Sequence, residues 1–158
     1  MAQIEKLETQ VDVKSSPERF YETYVRKHYL LPKLSPNVLK DVQLISGAWD
    51  SVGSVIQYAF VPPGNLSSQI IDSVRVDAID EKNKSITCTV LDGSESRKYY
   101  KYGSFTIQAV EKSEGGGALV KISVQYEKQN EDVPPPTMYT KFAENLFKST
   151  DAYLINKP

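Results

Sequence analysis

Alternation of apolar and polar residues is the strongest pattern along this chain, and it predicts an antiparallel sheet. Ile56, Tyr58 and Phe60 share one face of a predicted strand, because side chains two positions apart point to the same side. Two later stretches, centred on Cys88 and Ile122, repeat this alternation. With the turn-forming residues between them, the pattern predicts seven strands, at residues 3–13, 40–47, 53–61, 67–79, 84–92, 97–111 and 117–128.

Helical signals follow the first predicted strand and recur near the end of the chain. Ser16-Pro17-Glu18 predicts a helix start, with serine as the cap, proline in the first turn and an acidic residue after it. Pro32 and Pro36 are expected to interrupt the chain, so only a short second helix fits, near residues 36–40. Three consecutive prolines, 134–136, then stiffen the approach to a long final helix.

The final helix has two distinct faces. The apolar face carries Tyr139, Phe142 and Leu146, which need cover from water. The sheet is the only available cover, so we predict an α+β fold. In this fold a curved seven-stranded antiparallel sheet grips the long C-terminal helix, with two short helices after the first strand. The opposite face is interpreted as solvated and carries the charged residues Lys141, Glu144, Lys148 and Asp151.

Composition narrows the class of protein. The 158 residues, interpreted as a single domain over 1–158, carry a net charge of −1. No long basic run occurs, so we expect no nucleic-acid partner. Cys88 is the only cysteine, which excludes an intrachain disulfide and favours a reducing compartment. We see neither a signal-peptide core nor a membrane span, and expect a cytoplasmic protein, either a monomer or a weak homodimer.

The usual catalytic and metal-binding motifs are missing from the sequence. His28 is the only histidine and no nucleophile-elbow motif occurs, so we expect it at a helix end or on the surface rather than in a catalytic triad. One histidine and one cysteine do not build a zinc site unaided. Gly53 is followed by Ser54 and Val55, not by the lysine of a phosphate-binding loop. We therefore expect no metal and no cofactor.

Several short segments, in their order and spacing, carry a resemblance to a known family. They are Leu34-Ser35-Pro36, Gly47-Ala48-Trp49-Asp50-Ser51-Val52-Gly53-Ser54, Val74-Arg75-Val76-Asp77-Ala78-Ile79-Asp80, Val90-Leu91-Asp92-Gly93 and Tyr126-Glu127-Lys128. Over essentially its whole length the chain resembles the plant major latex proteins, a branch of the birch-pollen-allergen and class-ten pathogenesis-related superfamily. The resemblance implies a helix-grip fold with a large hydrophobic cavity between sheet and helix. It also implies binding of hydrophobic metabolites such as terpenoids, sterols, hormones or phenolics, in plant defence or specialised metabolism.

The chain departs from that family pattern at three places. The loop has Ala48-Trp49-Asp50 where the family usually has acid-Trp-Gly, and the turn at residues 62–65 is bulkier than usual. A large apolar residue typically stands in relatives where Gly103 falls. Two interpretations of Gly103 stay open: it leaves space in the cavity wall, or it is a bulge glycine in a curved strand.

Strand and helix phases then give the candidate site. Asp72 shares a face with Ile70 and Val74, and Lys101 shares a face with Tyr99 and Gly103. If the protein is an enzyme, Asp72, Lys101 and Tyr99 are the catalytic candidates, because burial shifts the pKa of such groups. Alternatively, Asp72 and Lys101 lie solvated or ion-paired at open strand ends. The predicted ligand-binding residues are Ile56, Tyr58, Phe60, Val74, Cys88, Val90, Tyr99, Gly103, Phe105, Val120, Ile122, Val124, Tyr139, Phe142 and Leu146.

Two classes of function follow, and both take a hydrophobic small-molecule ligand as partner. The first is a carrier or sensor, in which burial of ligand surface supplies affinity and a few polar groups set orientation. The second is a cofactor-free cyclase or isomerase, in which a fixed ligand conformation supplies much of the acceleration. Some members of the superfamily that the chain resembles look like catalysts of such reactions. The carrier is the preferred interpretation. A protein-interaction module would require an exposed apolar patch, which no segment predicts.

Overall fold

The computed structural model describes residues 3–63 and 68–156, and its framework is one seven-stranded antiparallel sheet. Neighbouring strands follow the order β1-β7-β6-β5-β4-β3-β2, which brings the first strand beside the last. The predicted α+β fold is confirmed. The strands are β1 Glu5–Val13, β2 Leu39–Ser46, β3 Val55–Phe60, β4 Ile70–Asp80, β5 Ser85–Val90, β6 Tyr100–Glu111 and β7 Ala118–Lys128.

Register shifts bend the sheet around the helix. Two lie in β2, between Leu39 and Asp41 and between Leu44 and Ser46. Others lie in β4, between Val76 and Ala78, and in β6, between Tyr100 and Tyr102. An extra residue on one strand increases its local twist and bends it, so these shifts give the sheet its concave face.

The long helix α3, Thr137–Ile155, lies in that concave face. Its C-terminal half is packed into the core, where the ring of Phe147 lies 5.8 Å from that of Phe20 and 5.5 Å from that of Tyr24, between centroids. Phe147 is fully buried. The side of α3 that we interpreted as solvated is exposed at Lys141 and Lys148, but the interpretation does not hold for Asp151.

Asp151 joins α3 to the segment after β1. Its carboxylate accepts hydrogen bonds from the backbone N–H groups of Lys14 at 3.0 Å and Ser15 at 2.9 Å, and from the Ser15 hydroxyl. The solvated interpretation of Asp151 was wrong because these donors, 136 and 137 residues away, meet α3 only in the folded chain.

The segment between β1 and β2 holds two short helices, as predicted, but the second is shifted. Helix α1, Pro17–Tyr21, begins where expected: the Ser16 hydroxyl accepts a hydrogen bond from the Arg19 N–H at 3.2 Å. A wider turn, Glu22–Arg26, and a 3₁₀ turn, His28–Leu30, continue from it. Helix α2 is Leu31–Leu34, so the prediction of a helix at 36–40 was wrong.

Proline explains this shift. Pro32 occupies the first turn of α2, where a missing N–H costs no helical hydrogen bond, so Pro32 starts a helix rather than breaking one. Residues after Pro36 instead enter β2 at Leu39. None of the helices in the described ranges is long and apolar enough to cross a membrane.

The predicted strand starts also move, by one to three residues. The strand predicted from residue 53 begins at Val55, because residues 51–53 still form turns. The strand predicted at 67–79 begins at Ile70, and residue 67, like Gly64 and Asn65 of the predicted bulky turn, lies outside the described residues. The strand predicted from residue 97 begins at Tyr100, because a 3₁₀ turn, Glu95–Lys98, precedes it.

Candidate ligand-binding cavity

An internal cavity of about 110 Å³ lies between the concave face of the sheet and α3. Strands β3 to β7 supply one wall and the N-terminal half of α3 supplies the other. Most of the side chains around it are aromatic or aliphatic, which suits a ligand that buries apolar surface. Among the predicted site residues, the structure places around this cavity Tyr58, Phe60, Asp72, Val74, Val90, Gly103, Phe105, Ile122, Val124, Tyr139, Phe142 and Leu146.

Three predicted ligand-binding residues lie inside the protein but away from this cavity. Ile56 and Cys88 line a second, smaller cavity of about 10 Å³, beside His28 and Trp49. Val120 is fully buried in the hydrophobic core and lines neither cavity. Alternation identifies the inner face of a strand, but it does not show which part of that face the core fills. The side chains that line both cavities, and so stand between them, are Tyr24, Tyr58, Phe105 and Ile107.

Tyr99 and Lys101 do not reach the cavity, so their assignment to the inner face was wrong. Tyr99 precedes β6 and is half exposed, and the Lys101 ammonium lies 3.8 Å from the Glu127 carboxylate at the surface. The reason is the register shift between Tyr100 and Tyr102, which places Tyr100 rather than Lys101 at the cavity. Of the two alternatives for Lys101, the ion-paired surface position is the one observed.

Gly103 lies in the cavity wall and outside the bulge. It pairs in regular register with Tyr126, and the irregularity of β6 lies before it. A Cβ atom added at Gly103 would lie 3.5 Å from a methyl carbon of Val90, an ordinary van der Waals contact. The backbone therefore does not require glycine here, and of the two interpretations the structure supports open space in the wall.

Asp72 is the centre of a polar cluster in this apolar wall. The residue is only 3% exposed. One carboxylate oxygen, Oδ1, accepts hydrogen bonds from the Ser96 N–H at 3.0 Å and the Ser96 hydroxyl at 2.7 Å. The other, Oδ2, accepts one from the Tyr139 hydroxyl at 2.7 Å. The cluster thus ties β4 to the 3₁₀ turn before β6 and to α3.

Two neighbouring groups set the electrostatics of this cluster. Burial, together with the charge of Asp72, raises the pKa of the Tyr139 phenol. The phenol therefore stays protonated and donates a hydrogen bond to the carboxylate. Arg97 also lines the cavity, but its guanidinium is bound elsewhere, 3.0 Å from an Asp92 oxygen and 3.3 Å from the Val90 carbonyl. Within the described ranges, no ion pair joins Asp72 to a cation.

A second buried polar group is His28, which lines the smaller cavity. Its Nδ1 lies 2.7 Å from the Tyr24 carbonyl, which only accepts, so Nδ1 carries the proton. The other nitrogen, Nε2, therefore accepts from the Tyr58 hydroxyl at 2.6 Å. Burial lowers the pKa of His28 to about 4. His28 does begin a 3₁₀ turn, as the helix-end expectation had it, but it is buried, so the surface alternative was wrong.

Besides these groups, a thiol or a cluster of metal ligands would be a source of chemistry in the part of the chain that the structure describes. Burial raises the pKa of the Cys88 thiol to about 12, which leaves it unreactive near neutral pH. No group of three or more potential metal ligands occurs among the described side chains. Asp72 and Tyr139 are polar groups of the cavity wall that are joined by a hydrogen bond.

Several cavity residues were missed, for different reasons. Ser96 and Arg97 belong to a 3₁₀ turn, whereas the sequence pattern left Ser96 between two predicted strands and made Arg97 the first residue of the next one, and only the fold brings them to the cavity. Tyr126 could have been found, because it alternates with Val124 on the inner face of β7. The remaining missed residues are Tyr24, Tyr100, Ser104, Ile107, Pro136 and Ala143.

Comparison with known proteins gives a consistent result. The model of the pathogenesis-related protein Bet v 1 family matches residues 2–157. MLP-like protein 34 of Arabidopsis thaliana is 32% identical over 151 residues, which is 96% of this chain but only 46% of that protein. The chain therefore spans about half of that relative. MLP-like protein 43 of the same plant is 28% identical, over 95% of this chain and 92% of its own length.

Solved structures agree with the sequence matches. The crystal structure of major latex-like protein 151 from Panax ginseng superimposes with a TM-score of 0.86 at 29% identity, covering 95% of this chain and 97% of that one. The predicted resemblance to the major latex proteins is confirmed by these matches.

Proposed function

This chain belongs to the pathogenesis-related protein Bet v 1 family, and from that premise we propose that its internal cavity binds and carries a hydrophobic small molecule. The observation that carries the proposal is the cavity itself, whose walls are apolar apart from a few polar groups. Burial of apolar ligand surface contributes roughly 25 cal/mol per Å². A sterol, terpenoid, hormone or phenolic would gain its affinity in this way, with Asp72 and Tyr139 orienting a polar end.

The binding experiment needs a matched variant without the cavity space. Purified protein is incubated with a plant terpenoid, sterol, phenolic and alkaloid mixture, separated from free compounds and unfolded, and the released compounds are identified by mass spectrometry. We expect a compound retained unchanged by the wild type and lost from Gly103→Leu, whose side chain would project from the wall next to Val90. Equal retention by both proteins, or retention by neither, would contradict binding in this cavity.

A second candidate function rests on the contact between Asp72 and Tyr139. A carboxylate in an apolar cavity can take a proton from a bound molecule, and the molecule can regain a proton at another position, which gives an isomer of equal mass. Such a cofactor-free isomerase or cyclase needs no further motif, because the cavity also fixes the conformation of the reactant. Tyr99 and Lys101 have no place in this mechanism, since neither lines the cavity.

The same incubation separates the two functions. For an isomerase, a compound in the mixture is consumed and an isomer of equal mass accumulates beyond the amount of protein present. Asp72→Asn should then retain the compound but form the isomer at least 100-fold more slowly, because an amide does not accept the proton. Unchanged turnover in Asp72→Asn would exclude Asp72 as the base.

A further inference from the structure

The hydrogen-bond directions around Asp72 limit what kind of ligand group fits there. Three groups donate hydrogen bonds to the carboxylate: the Tyr139 hydroxyl, the Ser96 hydroxyl and the Ser96 N–H. A carboxylate has about four acceptor positions, of which these three donors occupy two on Oδ1 and one on Oδ2. The cluster therefore presents lone pairs to the cavity and no free proton, so it accepts hydrogen bonds from a ligand rather than donating them.

Two further hydroxyl groups around the cavity, those of Tyr58 and Tyr100, are committed in the same way. The Tyr58 hydroxyl donates to His28, and the Tyr100 hydroxyl donates to the Pro134 carbonyl at 2.7 Å. A ligand that carries only carbonyl or ether oxygens finds no donor in these hydroxyl groups, and among the described residues the buried Nε–H of Arg97 is a donor left for it. A ligand that carries a donor finds an acceptor at Asp72 Oδ2 and at the Tyr139 oxygen.

The charge at Asp72 selects among donors. Buried carboxylates are ordinarily paired with a cation, because burial of an isolated charge is costly. Here all three partners are neutral, and Arg97 pairs through its two terminal nitrogens with Asp92 and the Val90 carbonyl, while its buried Nε–H has no hydrogen-bond partner and does not bond Asp72. A positive charge brought by the ligand would supply the missing partner.

Aromatic rings beside the carboxylate suit the same charge. Tyr139, which bonds Asp72, packs edge-on against Phe60 and Phe142, with both centroid distances 5.8 Å. Phe60 and Phe142 stack 4.8 Å apart. Ring faces attract cations, and this attraction strengthens where water is excluded. Carboxylate and rings together form one site at the end of the cavity that Pro136 also lines.

We infer that the cavity selects a protonated amine carried on an apolar body, with the ammonium group at Asp72 and Tyr139 and the body along the aromatic wall. This inference rests on the proposed function, because it assigns the polar end of the ligand that the cavity would bind. An ammonium group donates to Asp72 Oδ2 and to the Tyr139 oxygen, and it neutralises the buried carboxylate.

Three probes of matched shape test the inference: 4-phenylbutylamine, 4-phenylbutan-1-ol and 4-phenylbutanoate, each titrated into the protein at pH 7.5 by calorimetry. We expect the amine to bind about ten-fold or more tightly than the alcohol, because only the amine adds an opposite charge to the hydrogen bond that both probes donate to the carboxylate, and we expect the anion to bind worst. Binding of none of the three would overturn the proposed function together with the inference. Binding of the alcohol as tightly as the amine, or preference for the anion, would overturn the inference alone.

Matched variants locate the effect. Asp72→Asn keeps the side-chain shape, and we expect its preference for the amine over the alcohol to fall to within about three-fold. Asp77→Asn removes the same charge from the same strand, but Asp77 bonds Arg75 and Thr89 away from the cavity, so the preference should persist. Equal losses in both variants would contradict a local site.

A third variant keeps the test decisive if Asp72→Asn does not fold. Tyr139→Phe leaves the carboxylate in place and removes one donor that competes with the ligand for Oδ2. It also removes the Tyr139 oxygen that would accept from the ammonium group, so we expect the amine to bind more weakly than to the wild type but still more tightly than the alcohol, because the charge of Asp72 remains. Loss of that preference in a folded Tyr139→Phe protein would show that the carboxylate is not the recognising group.

Discussion

At the scale of single residues, His28 shows most clearly what folding adds to the sequence. A lone histidine between Lys27 and Tyr29 gave no sign of burial, since one of its partners, Tyr58, lies 30 residues away. Only the other partner, the Tyr24 carbonyl, lies at helical spacing. Asp72 is the contrasting case: its inward direction followed from alternation along β4, whereas its donors Ser96 and Tyr139 come from a turn and a helix that no strand period connects.

His28 also gives stability a pH dependence. Burial lowers its pKa to about 4, from an ordinary value of 6.5. Between those two pH values the unfolded chain binds a proton that the folded protein excludes, so the contribution present above pH 6.5 is lost as the pH falls. Across that window the difference amounts to about 3 kcal/mol.

Denaturant unfolding of wild type and His28→Gln at several pH values checks this prediction. The wild type should lose about 3 kcal/mol more than His28→Gln between pH 7 and pH 4, because glutamine does not titrate. Tyr58→Phe is the control: it removes a hydrogen bond to His28 but keeps the imidazole, so the pH dependence should remain. Parallel curves for wild type and His28→Gln would contradict the assigned burial effect.

At the scale of elements, the sequence predicted the strands and the long helix but not the ties between them. Seven strands and α3 follow from periods of two and of 3.6 residues. The start of β6 does not, because the turn Glu95–Lys98 and the register shift after Tyr100 depend on pairing with β7. The Asp151 contact is of the same kind, since helical period alone assigned that side chain to solvent.

Asp151 should therefore matter more to stability than a charged residue on a solvated face. Asp151→Ala leaves the N–H groups of Lys14 and Ser15 without their acceptor, and Ser15 is buried. We expect the free energy of unfolding to fall by about 2 kcal/mol. Lys141→Ala, on the exposed side of the same helix, should change it by less than about 0.5 kcal/mol. Denaturant titration of both variants measures the two changes in the free energy of unfolding. Equal changes would mean that Asp151 contributes no more to stability than a residue on the solvated face.

At the scale of the whole molecule, the cavity is a compromise between stability and binding. The family resemblance led us to expect a cavity, but its position depends on how far α3 stands from the sheet, and no periodicity records that distance. The core fills one end of the sheet, around Phe147 and Val120, and leaves the other end open near Gly103. Open space of this kind costs packing contacts, which a bound ligand restores.

Gly103 allows that compromise to be shifted. Gly103→Leu should fill part of the cavity and raise the free energy of unfolding by roughly 0.5–2 kcal/mol without ligand, as cavity-filling substitutions do. A ligand at 100 times its dissociation constant should stabilise the wild type by about 2.7 kcal/mol and Gly103→Leu hardly at all. Gly103→Ala, whose added carbon meets Val90 at an ordinary distance, should keep the ligand effect. Thermal melts of the three proteins with and without the retained compound measure both the stability of the free protein and its stabilisation by the ligand. A destabilised Gly103→Leu that still responds to ligand would mean that the space beside Gly103 is not where the ligand lies.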